Sequence, residues 1–306
     1  MPDAADLKQL TDEITRLKQQ RNAIILSHVY QPPEIQEIAD LVGDSLELSR
    51  RAAATEASVI VFCGVHFMAE SAAILSPQKT VLLPEVQAGC PMADTITAEA
   101  LRAKKAELPG AQVVCYVNTS AEVKAECDIA CTSANAVQVV ASLPADRPVL
   151  FVPDKNLGRY VAKQSGRKMH IWDGCCHIHD RLTAGDVLKV KSLHPQALVL
   201  VHPECRPEVV ELADHVASTT GMLRFAGEKP AGEYIVCTEK GILHQFNKQY
   251  PGKKFYPASD KLVCRDMQST TLEKVLKALQ TLEPQVTVAG EIRERALQCL
   301  ERMLAV

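Results

Sequence analysis

Short, uninterrupted apolar runs punctuate the chain at residues 24–26, 59–62, 113–115, 149–152, 198–201 and 234–236. Runs of this length without polar alternation predict strands buried on both faces, the habit of parallel sheets covered by helices. Other stretches repeat their apolar positions every three to four residues. Leu7, Leu10, Ile14 and Leu17 form one such stripe near the start, and Leu272, Val275, Leu276 and Leu279, then Leu297, Leu300 and Leu304, form two near the end. These predict amphipathic helices flanking a region of alternating strands and helices.

The pattern is an internal repeat. His28-Val29-Tyr30-Gln31-Pro32-Pro33-Glu34-Ile35-Gln36-Glu37-Ile38-Ala39-Asp40 aligns without a gap on His202-Pro203-Glu204-Cys205-Arg206-Pro207-Glu208-Val209-Val210-Glu211-Leu212-Ala213-Asp214, and a weaker third copy runs from Tyr116 to Asp128. Five residues after each Asp stands a hydroxyl: Ser45, Ser133, Thr219. A cysteine follows each Asp by 50, 48 and 50 residues: Cys90, Cys176, Cys264. Seven residues further on, Thr97, Thr183 and Thr271 open helical stretches, and Thr270 with Glu273 has capping-box spacing at the third. The predicted architecture is α/β: three pseudo-symmetric α/β/α domains with short parallel sheets, at residues 1–91, 92–177 and 178–265. The helices within 266–306 complete the first unit. Repeated Glu34, Glu208 and Asp40 read as helix-surface or capping residues.

Composition narrows the function. A net charge of -3 gives no basic face for nucleic acid. The start Met1-Pro2-Asp3-Ala4-Ala5-Asp6 is acidic and no apolar run approaches a membrane span, so a cytoplasmic protein with no membrane partner is expected. The 11 cysteines include no C-x-x-C pair, against zinc ribbons, thioredoxin-like sites and ferredoxin-type clusters. Cys63, Cys115 and Cys237, inside apolar runs, read as core. Cys127 and Cys131 have the i, i+4 spacing of one helix face, with core packing favoured over metal binding.

His28 and His202 directly follow strands, Tyr116 takes their place in the second copy, and Tyr30, Asn118 and Glu204 come two residues on. Carboxyl ends of parallel strands collect functional groups. Three related units would bring these ends, and one cysteine each, to a common centre. Three thiolates without an obvious fourth suit an iron–sulfur cluster with one open iron acting as a Lewis acid. Zinc on three thiolates is also chemically possible. Ser45, Ser133 and Thr219 as hydroxyl N-caps would make anion sites.

Motifs along nearly the whole chain carry a family resemblance: Ser27-His28-Val29-Tyr30-Gln31, Gly43-Asp44-Ser45, Gly89-Cys90-Pro91-Met92-Ala93, Tyr116-Val117-Asn118-Thr119-Ser120, Trp172-Asp173-Gly174-Cys175-Cys176-His177-Ile178-His179, His202-Pro203-Glu204-Cys205 and Ser218-Thr219-Thr220-Gly221-Met222. In this order they resemble the quinolinate synthase family. The resemblance implies a carbon–carbon bond-forming transferase of de novo NAD biosynthesis. It would condense iminoaspartate with dihydroxyacetone phosphate to quinolinate, phosphate and water, with a functional link to an iminoaspartate-producing enzyme. It also implies a central [4Fe–4S] cluster on Cys90, Cys176 and Cys264, catalysis by Glu204 with Tyr30 and His202, and substrate contacts at His28, Ser45, Tyr116, Asn118, Ser133, His179, His202, Ser218 and Thr219. The family pattern Trp-x-Gly-x-Cys-x-[Val/Ile]-His selects Cys176, whereas the Gly-Cys adjacency at Cys90 would select Cys175. Cys205 has no cysteine counterpart in the other copies and reads as a neighbour of the site. His66, in a Gly-containing stretch, reads as part of a loop over it. Two rival readings are an aconitase-like hydro-lyase using the same open iron, and a non-enzymatic iron–sulfur sensor. A sensor has no need of a cavity lined by His, Tyr, Asn and Glu.

Overall fold

The computed structural model describes residues 4–306; Met1 to Asp3, which carry part of the acidic start, lie outside the described residues. Among the described residues, twelve strands form three four-stranded sheets. The first holds β1 (Ala23–His28), β2 (Leu41–Gly43), β3 (Val59–Cys63) and β4 (Thr80–Leu82). The second holds β5 (Gln112–Tyr116), β6 (Ile129–Cys131), β7 (Val149–Val152) and β8 (His170–Ile171). The third holds β9 (Leu198–Val201), β10 (His215–Val216), β11 (Glu233–Cys237) and β12 (Lys254–Pro257). Every pairing among them is parallel. Strand order is β2-β1-β3-β4, β6-β5-β7-β8 and β10-β9-β11-β12, one topology used three times. Three pseudo-symmetric α/β/α units result, as the repeat predicts.

The apolar runs are buried on both faces because helices cover both. In the first sheet Ile25 and Val61 pack with Ile14, Leu17, Leu272, Val275 and Leu279 of the flanking helices Ala4–Gln20 and Leu272–Thr281. Their neighbours Ile24, Leu26, Ile60 and Phe62 point the other way, into a core shared with the second unit. Truncating a side chain such as Leu26, which is 0% exposed, would cost about 2–5 kcal/mol. Helix Leu272–Thr281 packs on Ala4–Gln20 and β3, whereas Gly290–Leu304 packs chiefly on β6 and helix Ala121–Lys124 of the second unit and also on His66–Leu75 of the first. A guanidinium ties the first pair: Arg21 donates to the carbonyls of Leu279 (3.3 Å) and Gln280 (3.0 Å).

The repeated Asp has a structural cause different from the expected capping. Asp40, Asp128 and Asp214 each accept the backbone N–H of a residue early in the first strand of their unit: Ile25 (2.8 Å), Val113 (2.7 Å) and Val199 (2.8 Å). Their own N–H groups return bonds to the same residues' carbonyls at 2.9, 3.0 and 3.0 Å. Each Asp thus pins the chain entering the edge strand against the strand beside it. The threonines behave as read: Thr97, Thr183 and Thr271 are N-caps, Thr183 in a reciprocal capping box with Asp186. At the third helix the cap is Thr271 rather than Thr270, whose buried hydroxyl has no partner. Cys127 and Cys131 share no helix, since Cys131 lies in β6. His66 opens the helix His66–Leu75 instead of lying in a loop.

Candidate active site

In each sheet the chain leaves the second-listed strand toward one side and the third-listed strand toward the other. This divergence opens a crevice at the carboxyl ends. The three crevices meet. His28 and Tyr116 end β1 and β5, and His202 follows β9. They line one cavity with Tyr30, Asn118 and Glu204. Cys90, Cys176 and Cys264 line it too, as do Ser45, Ser133, Thr219 and His179. Cys175 does not line it. Ser218 also stands back from it: its hydroxyl caps helix Thr219–Glu228 and donates to Asp44 at 3.1 Å.

The repeated His-x-residue geometry has a local cause. In the first unit the N–H of Tyr30 donates to His28 Nδ1 (3.2 Å), and in the third the N–H of Glu204 approaches His202 Nδ1 (3.4 Å). Each histidine is thereby folded back over its strand exit. His202 Nε2 lies 3.2 Å from the Ser133 hydroxyl, joining third unit to second. Burial drives both imidazoles toward neutrality, lowering His28 and His202 to about 3 against the opposing pull of Glu204.

Glu204 is the centre of a connected chain. Its Oε2 lies 2.8 Å from His179 Nδ1 and 3.4 Å from His202 Nδ1. A neutral His202 ring has one role at Nδ1, so the Glu204 N–H and Oε2 compete for it. His179 Nδ1 also lies 3.2 Å from Cys176 Sγ. On its far side His179 Nε2 is 2.8 Å from Thr238 Oγ1, which is 2.5 Å from the Tyr30 hydroxyl. The polar path therefore runs Glu204, His179, Thr238, Tyr30. Burial alone would raise the Glu204 carboxyl, but His179, His202 and the Tyr116 hydroxyl outweigh it and hold the group low, as the ionised acceptor. Burial pushes the Tyr30 and Tyr116 phenols well up, so both remain proton donors. Two buried oxygens, Glu204 Oε1 and Asn118 Oδ1, have no protein partner. Unpaired buried acceptors are costly, and a polar ligand relieves that cost.

A family model, the quinolinate synthetase A protein, matches residues 12–305. The chain belongs to this family. It is 60% identical to the quinolinate synthase of Desulforudis audaxviator over 97% of this chain and 98% of that one. It is 58% identical to the quinolinate synthase of Methanoregula boonei, covering 98% and 99% of the two chains. The quinolinate synthase of Geobacter metallireducens is 56% identical, with 97% of each chain covered.

For this family member the structure corrects one expectation. Ser45, Ser133 and Thr219 are not the N-caps. The caps sit one residue earlier in two units: Asp44 accepts from the N–H groups of Leu46 (3.0 Å) and Glu47 (3.1 Å), and Ser218 accepts from Gly221. In the second unit Thr132 accepts from Ala134 (3.2 Å) and the helix begins later, after Asn135. The three predicted hydroxyls follow these turn-forming residues, and their position after the cap is what brings them onto the cavity wall.

Three buried residues at the site, Thr238, Asp154 and Glu239, do not stand out in the sequence. Asp154 and Glu239 each stand two residues beyond β7 and β11, and the first unit has Val65 at the matching place. A carboxylate directly after an apolar strand in two of three copies was the available signal.

The donor set fits an iron–sulfur cluster. Three thiols from three units reach one cavity, and burial pushes their protons on, Cys90 to about 12, Cys264 to about 11 and Cys176 well above the ordinary thiol. Only a strongly bound cationic centre would compensate three thiolates there. Cys176, His179 and Glu204 also offer ligand atoms within 4.8 Å of one another, a spacing open to a single metal ion. Their mutual hydrogen bonds account for that closeness without one.

Proposed function

We propose that this chain catalyses quinolinate synthesis from iminoaspartate and dihydroxyacetone phosphate, releasing phosphate and water, on a [4Fe–4S] cluster held by Cys90, Cys176 and Cys264. Membership of the quinolinate synthase family supports the activity and does not favour the hydro-lyase reading. The observation that carries the site is the convergence of three repeat-related cysteines and three repeat-related strand ends on one cavity. Bound there, the cluster supplies a Lewis-acidic iron with one position free of protein sulfur.

The protein's own groups do the rest. Glu204, ionised and hydrogen-bonded to His179, takes a proton from carbon or nitrogen of the substrates as general base. His179 and Thr238 connect it to the Tyr30 hydroxyl, which returns a proton to a departing hydroxyl. His202 and Thr219, with Ser218 shaping the helix start behind them, hold the phosphate end. Ser45, Ser133, Tyr116, Asn118 and His28 orient the carboxylates and the forming ring. The apolar wall of Phe67, Met68 and Met267 excludes water from the condensation.

The units at residues 1–91, 92–177 and 178–265, with helices from 266–306, form the scaffold. We place the chain in the cytoplasm, linked in function to an enzyme that supplies iminoaspartate, and without nucleic-acid or membrane partners; no helix among the described residues is long and apolar enough to cross a membrane. The test is anaerobic purification, iron and sulfide analysis, and assay for quinolinate. An iron-containing protein without quinolinate formation would overturn the reading.

A further inference from the structure

Each cysteine-bearing loop is tied down by a carboxylate from another segment. The N–H of Cys176 donates to Asp154 Oδ2 at 3.0 Å. The N–H of Cys264 donates to Glu239 Oε1 at 3.2 Å. The first unit lacks a carboxylate at the matching place, and its loop uses a different one: Gly89, beside Cys90, donates its N–H to Asp266 Oδ1 at 3.2 Å. Asp266 stands two residues past Cys264, so this bond ties the first cysteine loop to the third.

Asp154 and Glu239 are 0% exposed, and burying a carboxylate is costly unless its oxygens are bonded. In both residues the two oxygens are taken by backbone N–H groups. Asp154 Oδ1 accepts from Leu157 at 2.7 Å and so caps the helix Lys155–Ser165, leaving Oδ2 for the cysteine. Glu239 Oε2 accepts from Gly241 at 2.6 Å. Glu239 also lines the cavity, with each oxygen bonded to a backbone N–H. The backbone at Gly174, two residues before Cys176, and at Gly241, two residues after Glu239, is packed too closely for larger residues. A Cβ at Gly174 would fall 2.5 Å from the Pro153 carbonyl oxygen, and one at Gly241 2.7 Å from that of Tyr30.

We infer that Asp154, Glu239 and Asp266 are positioning residues that hold the three cysteine loops in cluster-competent geometry before any metal arrives. The inference rests on the reading that these cysteines bind the cluster. Partners one step behind a metal ligand typically alter metal affinity by about 10–100-fold when removed.

Asp154→Asn is the selective change. Its amide oxygen can still cap the helix at Leu157, while its NH2 meets the Cys176 N–H donor to donor. Glu239→Gln does the same at Cys264. Asp128→Ala, which removes a strand pin and is not bonded to the loops of Cys90, Cys176 or Cys264, is the control for general destabilisation. The measurements are iron per chain after anaerobic reconstitution, the rate of iron loss to a chelator, the melting temperature of the iron-free protein, and alkylation rates of Cys176 and Cys264 in that form. We expect iron loss at least about tenfold faster in Asp154→Asn and Glu239→Gln, with altered alkylation at the neighbouring cysteine. Asp128→Ala should lower the melting temperature with wild-type iron release. Wild-type iron release and alkylation in both variants, or losses that merely track melting temperature as in the control, overturn the inference while leaving the cluster reading intact. A reconstituted wild type without iron overturns both.

Discussion

Replacing Glu204 by Gln isolates the carboxylate's charge and basicity from its shape. The side chain is 4% exposed, so the substitution must fit the space already present. It does: the glutamine oxygen can keep the 2.8 Å contact with His179 Nδ1, and its NH2 takes the place of Oε1, which has no protein partner. No buried group loses its only hydrogen bond, and no cysteine is moved. What disappears is the proton acceptor at the head of the path through His179 and Thr238 to Tyr30. Loss of a positioned general base lowers turnover by about 10²–10⁴-fold, or roughly 2.7–5.5 kcal/mol of barrier at 1.36 kcal/mol per decade. Quinolinate formed by the variant at saturating substrate, measured anaerobically beside iron content and melting temperature, is the assay. Near-normal turnover with full iron would move the base elsewhere, Tyr30 first. Loss of iron would make Glu204 a structural residue instead.

Replacing Cys90, Cys176 or Cys264 singly by Ser should remove most iron and all activity, whereas Cys205→Ser, whose thiol only reaches the Cys237 carbonyl at 3.4 Å, should keep both; full iron in Cys264→Ser refutes the ligand set. Activity should fall in air and return after anaerobic reconstitution with iron and sulfide, and undiminished activity after exhaustive aerobic chelation would exclude cluster chemistry. Asp128→Ala should cost about 1.5–3 kcal/mol in denaturant unfolding, the value of a hydrogen bond to a charged group, since it frees the Val113 N–H; an unchanged midpoint refutes the strand-pin role. Burial raises the Glu126 carboxyl, but Arg102 and Arg295 outweigh it and lower the group below the usual glutamate range. A lowered carboxylate stabilises the fold above its unfolded pKa and loses that contribution as pH falls through the folded one. Arg295→Gln should therefore cost up to about 1 kcal/mol at neutral pH and progressively less below about pH 4; a difference that grows in acid would refute the assignment.

Much of this was legible because the fold repeats. Gapless alignment of His28 to Asp40 on His202 to Asp214 put two strand ends at equivalent places, and the recurring cysteines picked three thiols that now share a cavity. What stayed hidden depends on contacts that one-dimensional spacing does not carry. Asp40 looked like a helix residue because it follows the apolar spacing of Ile35 and Ile38, yet its partner is the Ile25 N–H across the sheet. Spacing from the repeated Asp points to Ser45 and Thr219, one residue past the true caps Asp44 and Ser218, because it marks the turn but not which residue turns its side chain back onto the helix. Asp44 supplies a carboxylate in the first unit, and the second unit delays its helix. Thr238 gave no signal at all, since its importance lies in bridging Tyr30 and His179 from two other segments.

Three-fold construction explains how one cavity can hold both a symmetric and an asymmetric set of groups. The backbone exit after β1, β5 and β9 is the same in each unit, but the residues on it are not. One triplet is His28, Tyr116 and His202; the other is Tyr30, Asn118 and Glu204. Cysteine is the invariant third contribution, so the thiols approach from all sides while only the third unit supplies a carboxylate in the second triplet. A single base among neutral donors is what directional proton transfer needs, because two carboxylates facing across the cavity would raise each other's pKa and share a proton. The other two buried acids near the site, Asp154 and Glu239, are raised by burial, with Glu204 adding to the rise of Asp154, and both turn their oxygens to backbone N–H groups. Repetition therefore fixes where the thiols converge, and divergence at two positions per strand exit decides where the proton is taken.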